Sequence, residues 1–391
     1  MKNKKIAWAG ALVLIGIVTT EFGVIGILPE LADYYNISIG HAGYLLSGFA
    51  MIVALAGPFV TAFTGLLNRK KLMVFGLVTF LVSTIVSSLA PPFWLLMLVR
   101  ILPAFIQPTL VSIAVAAATA GAEPKYRHQM MSIVIGGIAI ATITTIPLTT
   151  YISGLYKAWQ ISYIVESVIS LIAILGVLII FPVMQGSGDK KMADQFGILK
   201  KPVFIWSAAV AFLVHGTMFT TYSYFADYLN SALHIPKLEI GKMLFVFGIA
   251  GVLGNMLTGK LLGRSVTYTL LFFLAGLTVL SFPLIGLQYM KSVYATYVVV
   301  ALWGFLHTPC FVNAQAYMIE VAPEAPEFAN SISISFGNLG IALGTMVSGG
   351  FITLFGSSVI PWVMLGFGIT AMLSMLIKHS CGKSLISMAG N

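Results

Sequence analysis

Charge is what this chain lacks. Only 8% of its 391 residues are Asp, Glu, Lys or Arg, while 59% are hydrophobic. A soluble domain carries roughly 25% charged residues, so this composition cannot cover a surface that faces water. A bilayer is the solvent that suits it. Cysteine is scarce as well. The two present, Cys310 and Cys381, give neither a disulfide framework nor a metal set. Cys310 falls inside a predicted helix, as a small packing residue. The chain also has no GxxxxGK[ST] phosphate loop, no HExxH, no CxxC pair and no GxSxG elbow. Those absences leave no ATP motor and no catalytic constellation, so neither an enzyme nor a cofactor is expected. Energy has to come from a gradient, or transport runs downhill.

What the chain has instead is long apolar runs. A spanning helix needs roughly 20 apolar residues to cross a hydrocarbon core about 30 Å thick. The runs are unbroken, whereas a barrel strand alternates apolar and polar over roughly 10 residues. The pattern predicts an all-α membrane protein with spans at 6–28, 43–67, 72–90, 93–119, 129–154, 158–183, 203–230, 239–262, 267–288, 292–320, 327–355 and 358–378. The opening Met1-Lys2-Asn3-Lys4-Lys5 resembles a signal-peptide head. The run behind it is too long, contains Glu21 and lacks a small-x-small cleavage site, which makes it a retained first helix. The longest polar gap, 184–202, divides the spans six and six. It delimits a bundle at 1–183, a linker at 184–202 and a second bundle at 203–391, the layout of a transporter built from two similar halves.

The net charge of +9 follows membrane topology rather than nucleic acid. With the N-terminus in the cytoplasm, sixteen Lys and Arg fall inside, among them Lys2, Lys4, Lys5, Arg69, Lys70, Lys71, Lys190, Lys191, Lys200 and Lys201. Only Lys157, Lys237, Lys242 and Lys291 fall outside. This bias predicts an inner-membrane protein with both termini and the central loop cytoplasmic. Offsetting the chain by 198 residues pairs Gly43 with Gly241, Phe49 with Phe247 and Gly65 with Gly263, weak internal symmetry between the halves.

The ionisable groups in the spans that stand as candidates for chemistry are few: Glu21, Arg100, Glu166, His215, Asp227 and His307. Each costs roughly 2.5–3.5 kcal/mol at a helix centre, so such groups persist where they face a cavity or a partner. Glu21 lies seven residues before the outer end of its span and Arg100 seven after the outer end of its own. At about 1.5 Å per residue both sit about 10 Å below the outer face. Such a pair either couples protons and anchors substrate or orients helices. Glu166 has similar depth. Asp227, near the outer end of its span, reads as a solvated end group. His215 and His307 either bond a neighbouring helix or touch substrate. Tyr222, Asn313, Asn338 and Gln107 are further candidate substrate-binding side chains. Pro147, with Pro58, Pro103, Pro108 and Pro309, removes a helix hydrogen bond. Glycines recur along spans 8 and 11, where small residues permit close, sliding helix packing.

At these residues the chain resembles a known group. Thr19-Thr20-Glu21-Phe22 with Gly26-Ile27-Leu28-Pro29-Glu30-Leu31-Ala32 resembles the first-span signature of bacterial sugar-efflux and drug:proton antiporters of the major facilitator superfamily. Leu98-Val99-Arg100-Ile101 matches the span-4 arginine motif, and Arg69-Lys70-Lys71-Leu72 the basic end of the loop between spans 2 and 3. Pro309 to Gln315 and Asn338 to Gly344 resemble spans 10 and 11. The resemblance implies two pseudo-symmetric six-helix bundles, alternating access, and export of small polar or amphipathic solutes such as sugars or drugs against inward protons. It carries proton coupling onto Glu21 and Arg100 and gating onto Arg69, Lys70 and Pro147. The expected partners are a small solute, protons and lipid; two complete bundles form a path as a monomer. Three departures stand out. Gly65-Leu66 replace the loop motif's usual acid, Thr145 and Thr149 stand where glycines flank Pro147, and Trp159-Gln160 replaces Trp-Arg. They leave an uptake symporter or facilitator of the same fold, or a non-transporting membrane sensor, as alternatives.

Overall fold

A computed structural model describes residues 2–64, 67–120, 122–184, 201–322 and 326–388. Among them are twelve helices long and apolar enough to cross a membrane. Spans 1 to 6 are Lys4–Gly26, Ile39–Gly57, Arg69–Ser88, Phe93–Thr119, Gln129–Tyr156 and Gln160–Ile180. Spans 7 to 12 are Pro202–Ala232, Lys237–Leu262, Val266–Met290, Val293–Val321, Ala329–Phe355 and Ser357–Ile377. The expected count and order hold: the molecule is an all-α, twelve-span membrane protein with two pseudo-symmetric halves. Gly65, Leu66 and most of the expected linker, with Lys190, Lys191 and Lys200, lie outside the described residues.

Several spans are broken where the sequence supplies a reason. Span 1 is α-helical to Phe22, tightens to a 3-10 turn over Gly23–Gly26, and is followed by a short helix, Leu28–Tyr35, that the hydropathy pattern did not reveal. Span 4 divides into Phe93–Ala104 and Gln107–Thr119, with Pro103 ending the first piece and Pro108 opening the second. Proline lacks the N–H that an uninterrupted helix needs and fits the first turn. Span 5 widens into a π turn over Ala141–Thr145 just before Pro147, which cannot donate to the carbonyl four residues back. Span 7 breaks after Tyr222, near the position of the break in span 1.

The halves meet on the side away from the chain termini, here called distal. One apolar cluster joins Val24, Leu28, Leu46 and Leu96 of the first half to Phe219, Tyr222, Phe225 and Leu244 of the second. Two symmetry-related glycines set the closeness of this seam. Gly43 lies under Tyr224, and a Cβ on Gly241 would stand 2.7 Å from the Cβ of Tyr151. Only a residue without a side chain permits such approach. Polar contacts add to it: the Lys237 ammonium lies 3.4 Å from a Glu30 oxygen and 3.9 Å from one of Asp33. On the proximal side the described buried residues separate. One cluster, including Ile6, Phe49, Leu72 and Leu110, lies wholly in the first half, and another, including Phe204, Ala211 and Met318, wholly in the second.

Candidate functional site

The break in span 1 presents Glu21 at the end of an α-helix, and the break in span 4 presents Gln107 at the start of one. The two meet: the Gln107 amide donates to Glu21 Oε2 at 2.7 Å. Glu21 is 4% exposed. Arg100, one turn and more before the span-4 break, is 1% exposed. Its Nη2 donates to the Thr20 carbonyl at 2.9 Å, its Nη1 to the Tyr163 hydroxyl at 3.4 Å, and its guanidinium carbon stands 5.6 Å from the Tyr163 ring centre. Arg100 is thus adjacent to Glu21 in space but holds the backbone beside it. Among the described residues the two form no ion pair within 4.0 Å, and the carboxylate's direct partner is the amide.

Glu166, 1% exposed in span 6, completes this cluster. It lies one turn from Tyr163, whose hydroxyl accepts from Arg100. Neither of its oxygens has a hydrogen-bond partner among the described residues. The Thr19 and Thr145 hydroxyls bond one another between spans 1 and 5, tying the π turn to the Glu21 helix. That turn touches the second half, where the Thr142 carbonyl packs against Gly248.

The second half presents a different surface. His307, 2% exposed, lies among Tyr222 at 4.8 Å, Phe247 at 5.3 Å and Phe219 at 5.8 Å between ring centres. Tyr222 stacks on Phe247 at 4.9 Å, and Phe247 meets Trp303 edge-on at 5.8 Å. Both ring nitrogens of His307, the indole nitrogen of Trp303 and both amide atoms of Asn313 are buried without a partner among the described residues. His215 is committed locally: its Nδ1 bonds the Ala211 carbonyl at 2.8 Å and its ring abuts Phe311. Asn338 donates to the Ile334 carbonyl of its own helix, leaving its oxygen unpartnered. Phe22 and Phe219 touch across the seam at 5.4 Å, so the two surfaces adjoin.

The remaining candidates lie elsewhere. Lys70 donates to the carbonyls of Leu178 and Phe181 at 2.8 Å each, capping the C-terminus of span 6 within the first half. A groove of about 630 Å³ on the flank of spans 2 to 4, lined by Val60, Phe75, Leu102 and Phe105 among others, includes none of the expected solute-binding residues. One reading is corrected. Asp227 is not a solvated end group: it is 4% exposed and accepts hydrogen bonds from Ser231 and Ser357. The sequence reading also missed the distal contacts of Glu30 and Asp33. The short acidic helix itself, with Pro29 at its first turn, was the signal for them.

Comparison with known proteins agrees with this architecture. The family profile of the Major Facilitator Superfamily matches residues 10–327. The inner membrane transport protein YdhP of Escherichia coli K12 is 28% identical over 370 residues, 94% of each chain. A probable sugar efflux transporter of Helicobacter pylori 26695 is 27% identical over 350 residues, covering 89% of this chain and 86% of its own. Among solved structures, a mutant of the nucleoside transporter NupG superposes with a TM-score of 0.74 at 13% identity, over 96% of this chain and 98% of its own. A bacterial homologue of the human lysosomal transporter Spinster, inward-facing and occupied, gives 0.74 at 14%, over 97% and 96%. The chain belongs to the Major Facilitator Superfamily, and its work is secondary transport of a small solute across a membrane rather than catalysis.

Proposed function

We infer that this carrier is a proton-coupled antiporter that exports small polar or amphipathic solutes, sugars and drugs being the classes to test first. The observation that carries the reading is the setting of Glu21. It is a buried acid held by one amide, beside a guanidinium that is bonded to the neighbouring carbonyl rather than to the acid itself. Such a carboxyl can take up or release a proton without breaking an ion pair, while Arg100 supplies a fixed positive field. The sugar-efflux name of the Helicobacter relatives supports the solute class and the direction.

Division of labour follows from the chemistry of the halves. Glu21, Arg100 and Gln107 serve the proton. Tyr222, His307 and Asn313, with His215 and Asn338 behind them, serve the solute. Aromatic faces cover its apolar side, and unpartnered imidazole and amide groups bond its hydroxyls or heteroatoms. The two bundles, 1–183 and 203–391, rock about this site with 184–202 as linker. The distal seam and the separate proximal clusters suit a state closed outward and open inward. The lysine and arginine bias supports cytoplasmic termini, and the name of YdhP supports the inner membrane. Pro147 and its π turn serve as the flexing point of span 5. Lys70 and Arg69 hold the proximal ends of spans 3 and 6 together, and one chain is sufficient.

The test is a solute screen in proteoliposomes with a pH-sensitive dye inside. A sugar or drug whose movement releases protons, with accumulation that collapses in Glu21→Gln, is the expected result. Full gradient-driven transport by Glu21→Gln would overturn the assignment. Solute movement in the same direction as protons would favour symport.

A further inference from the structure

Glu166 is the buried acid that this coupling scheme does not use. It sits in span 6 with both carboxyl oxygens unpartnered among the described residues. Its Oε1 faces Gly23, the first residue of the 3-10 turn in span 1, so closely that a Cβ there would lie 2.6 Å away. The same point is 3.9 Å from the Thr149 hydroxyl of span 5. Span 4 contributes Arg100, whose guanidinium bonds the Thr20 carbonyl beside Glu21 and the Tyr163 hydroxyl one turn from Glu166. Span 6 itself contributes Tyr163, one turn before, whose hydroxyl accepts from Arg100. Span 3 packs on the other side through the Thr84–Ser167 hydroxyl pair and brings no titratable group into these contacts. One guanidinium therefore lies between two acids and, among the described residues, forms an ion pair within 4.0 Å with neither.

Charge accounting gives the arrangement a meaning. Arg100 balances one carboxylate. With both acids ionised the buried cluster carries an uncompensated negative charge, which a low-dielectric interior penalises heavily. The cluster is neutral only when one acid is protonated. The Gln107 amide on Glu21 favours that acid's charged form and the bare oxygens of Glu166 favour its neutral form, so the proton leans toward Glu166, but neither acid is locked to Arg100 by an ion pair. We propose that Glu166 is a second proton-binding group of the carrier, and that Glu21 and Glu166 share one proton across Arg100. The inference rests on the coupling role given to Glu21, and Gly23 is the opening that admits Glu166 to span 1.

The test is labelling of the full-length protein in detergent with N,N′-dicyclohexylcarbodiimide at neutral pH, read by peptide mass mapping. The reagent adds to a protonated carboxyl, whose proton goes to the carbodiimide nitrogen and whose oxygen goes to its central carbon. In the wild type the adduct divides between Glu21 and Glu166, with one adduct per molecule at this pair. Glu21→Gln leaves Arg100 to Glu166 alone, so Glu166 ionises and its labelling falls. A shift of one pKa unit makes that fall about tenfold. Glu166→Gln lowers labelling of Glu21 in the same way, and Arg100→Gln raises it at both. Glu166 unlabelled throughout, or labelled equally with and without Glu21, overturns the proposal. The wild-type division alone decides the matter if a variant does not fold. Should Glu166 fail here while Glu21→Gln still abolishes uphill transport, Glu21 is the sole coupling acid. Should the labelling behave as stated while transport is unaffected, the coupling assignment fails instead.

Discussion

The two halves share a fold and differ in chemistry. The first half buries Glu21, Arg100, Glu166, Gln107 and Tyr163 around one locus. The second, at the equivalent depth, buries imidazole, indole and phenyl groups, and Asp227, its one buried acid among the described residues, is satisfied by two serines. Symmetric scaffolds need not carry symmetric sites. A charge is costly to bury and is kept where charge must change, whereas aromatic rings are stable in the same medium and suit a neutral solute. The difference teaches that coupling and recognition are separable here, and substitutions should separate them.

The largest effect falls on the first half. Glu21→Gln should abolish accumulation against a gradient while leaving counterflow of solute between equal compartments, measured in proteoliposomes. Arg100→Lys keeps the charge but loses the planar fork that bonds both Thr20 and Tyr163. A charged hydrogen bond is worth about 1.5–3 kcal/mol, so the uphill rate should fall by roughly one to two orders of magnitude. In the second half, His307→Gln or Asn313→Leu should raise the apparent KM by about tenfold, from the roughly 1–3 kcal/mol of a misplaced buried polar group. The steady-state accumulation ratio should stay unchanged. A loss of coupling in these variants would erase the distinction.

Sequence reading reached the locus but not its wiring. Glu21 and Arg100 were matched in depth because a helix rises uniformly, and depth is legible from span ends. Which way a side chain points depends on helix rotation and on breaks, and an apolar run has no periodic face to report either. So the bond from Arg100 to Thr20, the amide on Glu21 and the burial of Asp227 against two serines were hidden. The prolines in span 4 marked its break without giving its direction. The glycine pairing of 43 with 241 was visible as a faint repeat, and both residues proved to lie in the distal seam. The Leu28–Tyr35 helix was obscured because its first residues extend the apolar run of span 1.

The seam offers a further contrast, between its distal and proximal sides. Gly241→Leu should drive Tyr151 away at about 1–3 kcal/mol of overpacking. Spin labels at the exposed positions Tyr34 and Tyr294 should then report a longer distance across the distal side. The smallest effect is that of pH. Glu30 lies in the short helix between spans, and burial pushes its carboxyl above the ordinary value of 4.5, with Lys237 only partly offsetting this. Its burial against the second half ends when the seam opens, which returns the group toward that ordinary value. The closed seam therefore binds this proton more tightly, and acid favours closure. The same label pair should show a growing open fraction as pH rises above 4.5 through the raised value, and Glu30→Gln should flatten that trend. A slope of opposite sign would mean that the Lys237 contact outweighs burial.

The separation of coupling from recognition meets its most direct test in paired transport assays on Glu21→Gln and His307→Gln, each reconstituted and given both an imposed pH gradient and an equal-pH counterflow. The account predicts that the first loses gradient-driven accumulation and keeps counterflow, while the second keeps accumulation and needs more solute to reach it. Accumulation intact in the first, or lost in the second at saturating solute, would contradict it.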